Sequence, residues 1–172
     1  KQSKKMKLSK NLSLAEMLKS GTASRRGIDN SPTEEHIQNM KVFAEKIFQP
    51  IRDHFGVPFN ISSGYRSENL NKAIGGAHKY VEGEYVATSQ HCKGEAVDLD
   101  RDHTTDPNNA EVFHYIKDNL DFDQLIWEFG TEENPSWVHV SYNVDGKQRG
   151  QILVAYKDDN NRTKYKVYGR EN

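Results

Sequence analysis

Apolar residues recur at three- and four-residue steps through Ile37, Met40, Ala44, Ile47 and Ile51. That spacing lines one side of a helix and predicts an amphipathic helix over 33–54. Ser31-Pro32-Thr33-Glu34 marks its start, with glutamate three residues after serine and a proline between. Pro50 is expected to bend it, and Gly56 to end it. Leu12, Leu14, Ala15 and Leu18 predict a shorter helix over 12–19, punctuated by Gly21. Two more helices are predicted at 67–74, closed by Gly75-Gly76, and at 108–120. Alternating or β-rich runs predict strands at 59–62, 95–100, 124–129, 137–142, 151–156 and 164–168. Residues 77–88 read as a polar loop. Helices come first and the later strands follow closely, so the pattern predicts an α+β class with helices packed on a central antiparallel sheet.

Composition narrows the function classes. A chain of 172 residues fits one domain, read as 12–172, behind a basic end at 1–11 that is expected to be disordered. That end carries five lysines among its first ten residues, but no apolar core follows, so no signal peptide is visible. With a formal net charge of −1, the chain lacks the basic excess of a dedicated nucleic-acid binder. No apolar run approaches the ~20 residues of a membrane span. The single cysteine, Cys92, cannot form an internal disulfide and reads as a packing residue. A monomer is expected.

The chemistry gathers in the second half. In Ser89-Gln90-His91-Cys92-Lys93-Gly94-Glu95-Ala96-Val97-Asp98, alternation sends Val97 and Leu99 to one strand face and Asp98 to the other. A carboxylate among apolar neighbours needs a partner, and His91, seven residues earlier across a glycine turn, can meet it at a metal. In Trp137-Val138-His139-Val140-Ser141-Tyr142, His139 points away from the core-facing valines. His91, Asp98 and His139 thus form a three-ligand zinc set on the sheet face that leaves a fourth position for water. Such a site also wants a carboxylate base. If 124–129 and 137–142 pair as a hairpin, Glu128 shares a face with His139, and the two reasonable registers set it opposite His139 or opposite Trp137.

These runs, with Ser63-Gly64-Tyr65-Arg66-Ser67, Asn71 and Gly75-Gly76, resemble the zinc peptidases that include D-Ala-D-Ala carboxypeptidases and the L-alanyl-D-glutamate endopeptidases of bacteriophage lysins. The resemblance extends from about residue 12 to 143 with the motifs in order. It implies one catalytic zinc on His91, Asp98 and His139. Arg66 would polarise the scissile carbonyl and stabilise the oxyanion, and Ser89 and Asn71 would hold the substrate, with Trp137 as a candidate platform. The substrate implied is a peptidoglycan stem peptide, cut at a bond involving a D-amino acid, so the protein would act at the bacterial cell wall. Two departures stand out. Many members carry an acid three residues before the last histidine, where this chain has Ser136, and 77–88 reads as an insertion. One alternative is a zinc-binding module without turnover, which the missing acid suggests; another is a structural component of a phage particle that contacts the wall. His36 and His54 read as surface residues, His78 and His114 as structural, and His103 as outside the ligand set.

Overall fold

The structure, a computed structural model, describes residues 5–101 and 106–170. The chain opens with two short paired strands, β1 (Lys7–Ser9) and β2 (Leu12–Ser13), followed by helix α1 (Leu14–Leu18). Part of the basic end expected to be disordered is strand β1, held because Leu8 and Leu12 are buried in the core. The helix predicted over 12–19 begins two residues later: Ser13 caps it, in a reciprocal box with Glu16. Helix α2 (Gly21–Arg26) was not predicted; Gly21 is its first residue, behind Ser20 as cap.

The long amphipathic segment is α3 (Glu34–Phe43), a π-helical stretch at Ala44–Phe48, and α4 (Gln49–Phe55). Its cap is Thr33, boxed with His36, so the Ser31 start signal lies two residues early. The widened turn sits just before Pro50. Proline has no N–H to give the carbonyl four residues back and needs room for its ring, and the π stretch before it accommodates both demands. The rest of the chain runs through β3 (Asn60–Ser63), α5 (Glu68–Ile74), β4 (His78–Val81), β5 (Glu84–Ala87), β6 (Ala96–Asp100), α6 (Asn109–Asn119), β7 (Gln124–Glu128), β8 (Trp137–Ser141), β9 (Gln151–Lys157) and β10 (Thr163–Val167). The stretch read as a loop at 77–88 is the β4–β5 hairpin, turning at Glu82-Gly83.

Six strands form the central sheet in the order β10-β9-β7-β8-β6-β3. The expected antiparallel sheet is mixed, since β9 runs parallel to β7. The reason is steric. Strand β8 is already paired on both edges, by β7 and β6, so the chain must cross to the free edge of β7. The end of β8 lies beside the start of β7, Ser141 opposite Gln124, and a short crossing there enters β9 in the direction of β7. On one sheet face Val97, Leu99, Leu125, Trp127, Val138 and Val140 join the helices in a single core cluster. The opposite face carries Asp98, His139 and Glu128, as alternation predicts.

Candidate metal centre and cleft

Asp98 and His139 are direct cross-strand partners on β6 and β8. His91 reaches them from the 3-10 turn Gln90–Lys93, which Ser89 caps through its side chain. The His91 Nδ1–H donates to the Gly64 carbonyl oxygen at 2.7 Å. A carbonyl only accepts, so this bond fixes the tautomer and aims the lone pair of Nε2 into the site. His91 Nε2 lies 3.4 Å from Asp98 Oδ1, and His139 Nδ1 lies 3.0 Å from the same oxygen. One donor atom from each of the three residues falls within 4.8 Å of the others. His91 is buried, while the side chains of Asp98 and His139 keep 17% and 12% exposure, so the cluster opens outward. Burial works to raise the Asp98 carboxyl, but the two imidazoles overcome it and hold the group well below the usual carboxylate range. Burial lowers the affinity of His91 for a proton, against the pull of Asp98. Two imidazole nitrogens and an ionised carboxylate, with one tautomer set from behind, are the donor chemistry of a zinc site.

Gly64 makes that support possible. A Cβ there would stand 2.5 Å from the Met17 carbonyl oxygen, which already accepts the Tyr65 N–H at 2.7 Å. Only glycine lets this turn press against α1 and present its own carbonyl to His91.

The cluster lies in a cleft of about 530 Å³ that also holds Arg66, Ser89, Glu128 and Trp137. Of the two registers open to the β7–β8 hairpin, the one found sets Glu128 opposite Trp137 and Ile126 opposite His139. Glu128 is therefore diagonal to His139 on the same face. The Trp137 Nε1–H donates to Glu128 Oε2 at 3.1 Å and orients the carboxyl. Burial, together with the charge of Asp98, pushes Glu128 up to about 7, against His139, the Trp137 bond and Arg66. Arg66, between β3 and α5, donates from Nη2 to Ser89 Oγ at 3.2 Å, while its buried Nε–H has no acceptor among the described residues. Ser136 is exposed at the end of the turn and gives its backbone N–H to the Glu128 carbonyl.

Asn71 is a correction. It is wholly buried and does not line the cleft. Its amide donates to the Ala77 carbonyl at 3.1 Å and to the Tyr85 hydroxyl at 2.9 Å, tying the β4–β5 hairpin to α5. The pairing with glycine has a cause: a Cβ at Gly76 would sit 1.9 Å from Asn71 Oδ1. His103 lies outside the described residues.

Three parts of this arrangement escape sequence reading: the Gly64 carbonyl behind His91, and Arg149 and Tyr165, which line the same cleft from beyond β8. Tyr165 enters because it pairs with Ala155, which pairs with Glu128. Only the parallel crossover, which no local pattern signals, brings that row together.

A His-Asp-His cluster with the donor set to hold a metal ion, facing a buried carboxylate and an arginine on the open face of an α+β sheet, fits a metallohydrolase. A family model described as Peptidase M15 matches residues 10–141. The chain belongs to this family of zinc metallopeptidases, hydrolases that act on peptide substrates. No curated protein matches the chain. Among the described residues no helix is long and apolar enough to cross a membrane.

Proposed function

We propose that the protein hydrolyses peptide bonds involving D-amino acids in peptidoglycan stem peptides, as a D-Ala-D-Ala carboxypeptidase or L-Ala-D-Glu endopeptidase acting at the bacterial cell wall. The observation that carries this reading is the opening of the His91–Asp98–His139 cluster into one cleft with the Glu128 carboxyl and the Arg66 guanidinium. His91 Nε2, an Asp98 oxygen and His139 Nδ1 would hold a single zinc ion. When bound, zinc supplies Lewis acidity, lowering the pKa of a water to roughly 7 and polarising a carbonyl.

The chain's own residues do the rest. Glu128 takes the proton of the attacking water and returns it to the leaving amine; burial raises its carboxyl, which favours holding the proton between the two transfers. Trp137 holds that carboxyl in place. Arg66 donates to the developing oxyanion, and its acceptor-free Nε–H is a donor held ready for that moment. Ser89 fixes the guanidinium from the side. With Glu128 supplied from β7, the acid missing at position 136 leaves no gap in the proton path, which favours turnover over a binding-only module. Mass spectrometry of fragments released from defined muropeptides tests the reading. Release of a terminal D-Ala or of the L-Ala stub supports it and tells the two bonds apart; intact muropeptides with zinc-loaded protein would refute it.

A further inference from the structure

Arg149 stands in the loop between β8 and β9, beyond the residues the family model matches. Its guanidinium lines the same cleft as the metal cluster. Buried Asp123, 4% exposed, holds it: Nε donates to both carboxylate oxygens at 3.1 and 3.2 Å, and Nη2 donates to Oδ2 at 2.8 Å. The Arg149 backbone N–H also donates to Asp123, at 2.9 Å. That bond, with Gly150 N–H to the Phe122 carbonyl and Gln151 N–H to the Asp123 carbonyl, already pins the crossover loop through the main chain. The side chain keeps 55% exposure. A guanidinium has five N–H donors, and the Nη1 amino group has no protein acceptor among the described residues. The result is a cation fixed in orientation by a carboxylate behind it, with a free donor edge toward solvent in the cleft.

The sheet register gives the distance scale. Along β7, Glu128, Ile126 and Gln124 occupy successive same-face rows, opposite Trp137, His139 and Ser141. Rows are separated by roughly 6.6–6.8 Å. The metal cluster thus lies in the middle row, Glu128 in the row to one side, and Gln124 in the row to the other. Gln151 pairs with Gln124 at that far end, and Arg149, two residues earlier, lies one row further still, two rows from the metal cluster. An extended peptide advances about 3.3 Å per residue, so two rows span about four residues of substrate.

Resting on the peptidase reading above, we propose that Arg149 is a carboxylate-binding subsite, selecting peptides that carry a free carboxylate about four residues from the scissile bond. Fork-shaped donation suits a carboxylate, and an amide in its place would offer one acceptor and no charge.

The test uses the 172-residue chain loaded with zinc and two peptides: acetylated L-Ala-γ-D-Glu-L-Lys-D-Ala-D-Ala with free carboxylates, and the same peptide with those groups converted to carboxamides. Calorimetric affinity and hydrolysis are measured for both. The acid should bind about ten- to hundredfold more tightly than the amide. In Arg149→Gln that ratio should fall to near one. Arg149→Lys, which keeps a charge beside Asp123, should hold an intermediate ratio. Thermal melting and zinc content of each variant separate this effect from damage to the loop. Acid preference in binding that Arg149→Gln removes supports the subsite even if neither peptide is cut, an outcome that would sink the peptidase reading alone. Equal affinity for the two peptides, no binding of either, or an acid preference that survives in correctly folded Arg149→Gln would overturn the subsite and leave the peptidase reading standing wherever cleavage is seen.

Discussion

Glu128 is asked to be ionised in a place that penalises ionisation, and this has a measurable cost. The residue is 8% exposed, and its carboxyl, near Asp98, is pushed from an ordinary value of 4.5 up to about 7. A raised carboxyl favours the protonated folded state. In the metal-free protein its contribution to stability is therefore fully present below about pH 4.5 and lost as pH rises through about 7. Glu128→Gln removes the penalty. Denaturant melts of the metal-free proteins should show wild type and Glu128→Gln alike at pH 4, with the variant more stable at pH 8 by on the order of 2–3 kcal/mol. Equal stability at pH 8 would mean that the carboxyl is well solvated. The same substitution should keep zinc and lower kcat by roughly two to four powers of ten, the usual worth of a positioned base, whereas Glu132→Gln and Glu133→Gln, exposed in the turn, should stay close to wild type. Hydrolysis assays on the three variants side by side check this.

At the scale of elements, the turn between β3 and α5 is the joint on which the metal centre rests. Gly64→Ala would force a Cβ within 2.5 Å of the Met17 carbonyl. We expect a loss of about 1–3 kcal/mol of stability and, because the His91 Nδ1 bond goes with it, a roughly ten- to hundredfold weaker zinc affinity, read by competition with a chromophoric chelator. Unchanged affinity would detach the Gly64 carbonyl from the metal site. This joint also marks how far the sequence could be read. Asp98, His139 and Glu128 were legible because strand alternation assigns faces two residues at a time, and a hairpin leaves few registers. His91 was legible as a neighbour across a glycine turn, though it sits on a 3-10 turn and not on extended chain. The support behind His91 was not legible, because a backbone carbonyl has no residue type to reveal it. Asn71 was misplaced for a related reason: a motif asparagine looks alike whether it faces substrate or braces a turn, and only its burial against Gly76 decides. The helix at 21–26 is hidden in the sequence because glycine ordinarily reads as a stop, whereas Ser20 makes it a start.

For the whole molecule, the mixed sheet joins two lengths of chain: the matched span up to residue 141, and β9–β10 beyond it. The second length covers the free edge of β7, buries Ala155, and adds Arg149 and Tyr165 to the cleft. A chain ending at residue 148 would leave β7 as an exposed edge one strand from the metal ligands. It should lose cooperative melting or aggregate, as seen by calorimetry and light scattering; a soluble, cooperatively melting product would show that the matched span is self-sufficient. The central claim is that one zinc, held by His91, Asp98 and His139, is what makes this cleft a peptidase site. The most direct measurement is elemental analysis, with parallel muropeptide hydrolysis, of wild type, Asp98→Ala and His139→Ala purified without chelator. Wild type should hold close to one zinc per chain and turn over muropeptides, with both lost in the two variants. A wild-type protein that cuts muropeptides without metal, or variants that keep full zinc and activity, would contradict it.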